Sequence, residues 1–321
     1  MVPSAVGQQI VGTRSGLQFL RFIELPEHRA PGGFDHAAIH RASNLLYVAH
    51  TVNDALDVIN CAWGRFLHSV GGLGGVAGVL VSQERYLVFT SSRGENTVGV
   101  FSAGNEPELA KIPVGVRPNG LAFDPQRGLL LAANIGSPDI HDSFTLSIVD
   151  IRHREMIHSI SVPGRTCWTV FDPHADVFYV NIADPAQIAV VEVTHPDRVA
   201  RLLTVPGAGP HGLDLDAERR VLFCACDVGK VFAIAPSSGE ILHSADLSGA
   251  PDVIFFNKAR KHLYVAVGDP GVIEVFDTET LTRLEVISTE KGAHTLAFDP
   301  WRNKVYAFLP QSYRAQVFAD V

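Results

Sequence analysis

Seven positions along the chain carry the residue types from which a chemical site could be built. They are Asp35, Ala77, Asn119, Cys167, His211, Asp252 and His294, spaced by 42, 42, 48, 44, 41 and 42 residues. His36 stands beside the first. A second set falls in the loops that follow five of them: His50, Asn134, His141, Asp142, Asp184, Asp227 and Asp269. Imidazole and carboxylate gathered around one point suit a divalent transition metal, with Zn, Mn, Fe or Ni favoured and Mg or Ca as second choice. The metal ligands expected on this reading are Asp35, His36, Asn119, His211, Asp252 and His294. His141 and His50 are then the groups that move a proton. Arg93 and Arg165 would hold a carboxylate substrate, with Asn134 and Trp168 beside it. Each assignment has a plainer counterpart. His211 and His294 could hydrogen-bond a neighbouring backbone. Asp35, Asn119 and Asp252 could cap turns. Asp184, Asp227 and Asp269 sit where turns favour aspartate, and structure is the expected role for those three. Cys167, next to Trp168, is expected to be packing rather than a thiolate nucleophile.

Such residues can meet only if the chain brings them together, and its repeat does so. Gly209-Pro210-His211-Gly212-Leu213-Asp214-Leu215-Asp216 has relatives at Val116–Asp124, Gly249–Asn257 and Gly292–Asp299, and weaker ones starting at Asp35, Ala77 and Cys167. Each opens on a Gly/Pro turn, places one polar residue, runs through a short apolar strand and ends at an Asp or Asn turn. A second apolar strand follows, such as Val221–Cys224 or His262–Ala266. Short strands recurring in the low forties predict an all-β, seven-bladed β-propeller with four antiparallel strands per blade. The start of each innermost strand and the loop after each second strand return to one face, so both polar sets are expected on one rim. Blade 3 departs from the period because residues 135–144 form an enlarged loop carrying His141, which is expected to hang over the channel mouth.

Residues 1–15 read as an arm, and residues 17–25 as a strand that precedes the first repeat. The last repeat, from His294, has only three strands before the chain stops. The early strand is therefore expected to close the ring as the outer strand of the seventh blade, which removes an exposed sheet edge. On this reading residues 1–321 are a single propeller domain. A net charge of −8 with no basic run lowers the expectation of a nucleic-acid partner. No apolar run is long enough for a bilayer, and Met1–Gly7 lacks the features of a secretory leader. A cytoplasmic protein acting on a small molecule is expected, with its oligomeric state open. Cys61, Cys167, Cys224 and Cys226 form no CxxC pair and read as reduced and buried.

The second strands Tyr47–Thr51, Tyr179–Asp184 and Leu263–Asp269, each followed by a strand such as Asp57–Asn60 or Glu274–Asp277, resemble the repeat of the YVTN family of seven-bladed propellers. The resemblance covers nearly the whole chain and concerns scaffold residues. Its relatives include quinoprotein-like propellers, streptogramin lyases and proteins without a known reaction. The openings Pro210-His211-Gly212-Leu213 and Ala293-His294-Thr295-Leu296 are similar to those of the lyase group, which implies histidines and a magnesium ion in the central mouth. The lactonase propellers imply Asp, Asn and Glu around a divalent ion, and this chain mixes both ligand types. The expected function is a metal-dependent lyase or hydrolase of lactonase or esterase type at the channel mouth. The alternative is a non-catalytic platform that binds a ligand or another protein.

Overall fold

The computed structural model describes residues 16–321, and the expected arm at residues 1–15 lies outside them. Its 28 strands, numbered in chain order, form seven four-stranded antiparallel sheets arranged as the blades of a propeller. The innermost strands are β2 (Ala37–His40), β6 (Val76–Ser82), β10 (Pro118–Asp124), β14 (Thr166–Asp172), β18 (Pro210–Asp216), β22 (Pro251–Asn257) and β26 (Thr295–Asp299).

The turn after each innermost strand shows why the period is written where it is. The residue that ends the strand turns its side chain back onto the turn's own amides. Asp124 accepts from the N–H of Gln126 at 2.8 Å, Asp172 from His174 at 2.9 Å, and Asp299 from Trp301 at 3.1 Å. Asp216, Asn257, Ser82 and His40 do the same in their blades. A left-handed residue then sends the chain into the second strand: Asn44, Tyr86, Gly128, Asp176, Arg220, Lys261 and Asn303. These seven repeat the spacing of the polar positions, so one sequence period fixes both the cap and the reversal.

Hydrophobic packing is divided among seven seams, one between each pair of neighbouring blades. The second strands are buried on both faces, and alternation along them feeds two seams at once. In Leu45–His50, Leu46 and Val48 pack toward the seventh blade while Tyr47 and Ala49 pack toward the second. Arginines tie blade to blade on the turn side. Arg127 reaches Asp176, Arg220 reaches Asp172, and Arg302 reaches Asn44 across the closure.

The closure is the one expected. β1 (Leu17–Glu24) pairs antiparallel with β28 (Arg314–Asp320), from Leu17 opposite Asp320 to Glu24 opposite Arg314. It supplies Leu17 to the seam between blades 6 and 7, and Ile23 to the seam between blades 7 and 1. The blade-3 insertion forms no strand over residues 135–144. It folds on itself, with Ser143 Oγ donating to the carbonyl of Ser137 at 2.7 Å. Among the described residues no helix is long and apolar enough to cross a membrane.

Candidate functional site

The innermost strands crowd together at their starts. A Cβ on Gly120 would lie 2.4 Å from the carbonyl oxygen of Cys167 in the next blade, and one on Gly212 2.4 Å from that of Asp252. Only glycine allows so close an approach. The residues beside these glycines, Asn119 and His211, are thereby brought into the ring that the other blades share.

Two arcs form there. In the first, the Arg93 guanidinium stands 3.0 Å from Asp35 and donates to Asn119 Oδ1. Asp35 also accepts from the backbone N–H of His36 at 3.0 Å. In the second, His211 lies between two carboxylates. Its Nδ1–H donates to Asp227 at 2.8 Å, and its Nε2 is 3.2 Å from Asp252. His294 Nε2 donates to the carbonyl of Phe34 at 3.0 Å and stands 3.8 Å from the other Asp252 oxygen. The buried His36 ring packs on Trp168 of blade 4, with 4.0 Å between centroids.

Asp252 sits at the electrostatic centre. Burial pushes its carboxyl up, but His211, His294, His36 and Arg93 outweigh burial and hold it below the ordinary carboxylate range. Burial pushes the His211 imidazole down, and here too the charges win: Asp252 and Asp227 raise it above the ordinary histidine value. His36 goes the other way, lowered by burial that its neighbouring carboxylates only partly offset.

A pH dependence with a definite sign follows. His211 has its folded value raised, so its stabilisation is complete below 6.5 and is lost as pH rises through the folded value. Asp252 has its value depressed, so its stabilisation is complete above 3.8 and is lost as pH falls through the folded value. The stability advantage of the native protein over His211→Gln should therefore be greater at pH 6 than at pH 9, as read by urea unfolding. His36 is common to both proteins and cancels. An advantage that grows toward pH 9 would show that His211 is not held as an imidazolium.

The six expected metal ligands are close, but as they stand they form no ligand shell. Among the described residues no three His, Cys, Asp or Glu side chains are grouped to hold a metal ion. The Arg93 guanidinium already occupies the place beside Asp35 and Asn119 where a cation would sit. His294 spends Nε2 on a backbone carbonyl, and His36 is turned onto Trp168.

Of the other expected site residues, His141, His50 and Asn134 stand apart from these two arcs. The His141 side chain is 92% exposed and pairs with its neighbour Asp142 at 2.8 Å, so nothing at the rim orients it. His50 is fully buried in blade 1, donating to Asp57 at 2.8 Å, with His28 2.6 Å from its other nitrogen. Asn134 is buried in blade 3 and donates to Thr145 and Ser147. Trp168 packs within the channel. Arg93 is held within the rim by Asp35 and Asn119, and Arg165 is exposed. Cys167 is buried, with its thiol pushed up to about 12, as befits a packing residue.

Sequence reasoning assigned Asp227 to its turn, whereas it is the partner that orients His211. Asp214 was passed over altogether. The signal for it was available in the repeat, since the equivalent residue is apolar in every other blade: Ala38, Leu80, Ala122, Val170, Phe255 and Ala297.

No protein-family model matches this chain, and no curated protein does. Solved structures do. A chain of Kuenenia stuttgartiensis hydrazine synthase is similar with a TM-score of 0.77 at 14% identity, over 96% of this chain and 98% of that one. A chain of a mitotic checkpoint complex is similar with a TM-score of 0.79 at 12% identity, over 99% and 96% respectively. At such identities the likeness establishes the seven-bladed propeller fold and nothing of the chemistry.

Proposed function

We propose that the rim is the active site of a lyase or hydrolase acting on a small, oxygen-rich molecule, with His211 as the group that moves the proton. The observation that carries this reading is the pair of carboxylates around one imidazole. Asp227 fixes the ring through Nδ1, and Asp252 stands at Nε2, where the mobile proton would be exchanged. A positioned His–Asp pair of this kind can protonate a leaving oxygen, and in its deprotonated state can draw a proton from water or from carbon. His211 remains partly exposed, so a substrate has access to it. The Arg93 guanidinium stands on the same rim, held by Asp35 and Asn119, and places a fixed positive charge there for an oxygen-bearing substrate. His141 and His50 have no part in this reading, and no step in it passes through a metal.

The test is turnover of a panel of small lactones, aryl esters and β-elimination substrates by protein treated with EDTA. At least one is expected to be turned over, with a rate that declines on the alkaline side as the His211 imidazolium loses its proton. Saturable binding of panel members without turnover would instead make the rim a binding platform. Turnover that appears only when a divalent metal is added back would restore the metal-dependent reading.

A further inference from the structure

The channel behind the rim is a separate space. His36 and Trp168 meet across it, and beyond them a cavity of about 540 Å³ runs toward the turn side of the propeller, reaching Gln83, Glu84 and Trp301 at its mouth. Its walls come from the innermost strands and are largely apolar and aromatic, with Trp168, Phe255 and Phe298 among them. A space of this size and lining is ordinary for a small-molecule site. Asp214 is out of keeping with it.

Asp214 lies opposite Phe223, the third residue of its blade's second strand. That slot holds an apolar residue in all six other blades, so the scaffold does not require a carboxylate there. Its two oxygens accept backbone N–H groups from Leu215 and from Phe256 of the next blade, each at 2.7 Å. Among the described residues no Lys, Arg or His side chain pairs with it. The other titratable groups in the wall are Glu84, at the mouth, and His36, which burial keeps neutral. Arg41 stacks on Trp301 at that end, and Asp216 lies further along the same strand. The cavity is therefore apolar, aromatic and negative, with its anion placed where no structural cation meets it.

We propose that this cavity is a second binding site, distinct from the rim, for an apolar or aromatic molecule bearing one ammonium group, with the ammonium on Asp214 and the body of the ligand against the aromatic wall. A carboxylate receives a cation through a charge-assisted hydrogen bond, and the faces of Trp and Phe rings add attraction for the same charge. Burial pushes this carboxyl up to about 6, and the two backbone N–H groups offset that only in part.

Three probes of one shape separate the contributions: 4-phenylbutylamine, 4-phenylbutanol and 4-phenylbutyrate, titrated calorimetrically into the whole protein at pH 8. The amine is expected to bind about 10- to 100-fold more tightly than the alcohol, the range of a hydrogen bond to a charged group, and the acid more weakly than either. Asp214→Asn, which keeps an acceptor for Phe256, should abolish the preference for the amine while alcohol binding persists. Should that variant fail to fold, the native protein at pH 4.5 serves instead. The amine stays charged there, Asp214 takes up a proton, and the preference should shrink. His211→Gln should leave it intact, so failure at the rim and failure here can be told apart. Equal binding of amine and alcohol, tighter binding of the acid, no binding of any probe, or a preference that survives Asp214→Asn would each overturn the proposal.

Discussion

Deletion of residues 1–26 is expected to yield a protein that no longer unfolds in one cooperative step and that associates in solution. The strand removed does more than decorate the seventh blade. Leu17, Ile23 and the following Leu25 are all buried, and they enter two different seams. At about 1.5–3 kcal/mol for each buried apolar side chain, their loss comes to roughly 5–9 kcal/mol. The antiparallel pairing of β1 with β28 goes with them. A folded domain holds only about 5–15 kcal/mol in all. The deletion would also bare the edge of β28, which carries Ala315, Val317 and Phe318. An uncovered apolar edge recruits other strands. Size-exclusion chromatography and thermal unfolding read both effects. A truncated monomer with an unchanged midpoint would mean that the ring is held shut by its seams alone.

The fold was legible because every blade states it again. One period sets the Asp or Asn that caps the first turn, the left-handed residue after it, and the apolar second strand, so an ambiguous copy such as the one at Ala77 is read by its neighbours. The site was legible only in part, for a physical reason. Register tells which face a residue belongs to, but not which side chain from another blade it meets. Asp35, Asn119, His211, Asp252 and His294 were placed on one rim by register, and they are there. That Arg93 would fill the space between Asp35 and Asn119 depends on a loop in a different blade. Asp227 looked like a turn residue and does occupy a turn, yet its Oδ1 faces His211 across 16 residues of chain. His141 misled for the converse reason. An insertion has no repeat to fix its direction, and here it closes on itself through Ser137 and Ser143, leaving the imidazole in solvent. Asp214 shows what a repeat can reveal when its copies are compared slot by slot. A single carboxylate among six apolar residues stands out there, even where the local sequence looks like an ordinary strand.

His211→Gln is expected to lower turnover by about 10²–10⁴-fold on whichever panel substrate the native enzyme accepts, the usual cost of losing a positioned acid or base. Glutamine retains a side-chain donor for Asp227 or Asp252 but cannot exchange a proton near neutrality, so the fold should persist while the chemistry fails. Asp227→Asn tests the orientation separately. It leaves the imidazole in place but weakens the grip on Nδ1–H and removes one of the charges that raise His211. Its alkaline limb should therefore move to lower pH, with a smaller loss of turnover than in His211→Gln. Asp252→Asn should shift that limb in the same direction, because the Asp252 charge also raises the imidazole. A group that merely supported the rim could lower the rate, but it would not carry the pH profile with it. Full turnover in His211→Gln would remove His211 from the reaction. A profile that stays fixed in both aspartate variants would show that the titrating group lies outside the His211 arc, because neither carboxylate against that imidazole would then govern it.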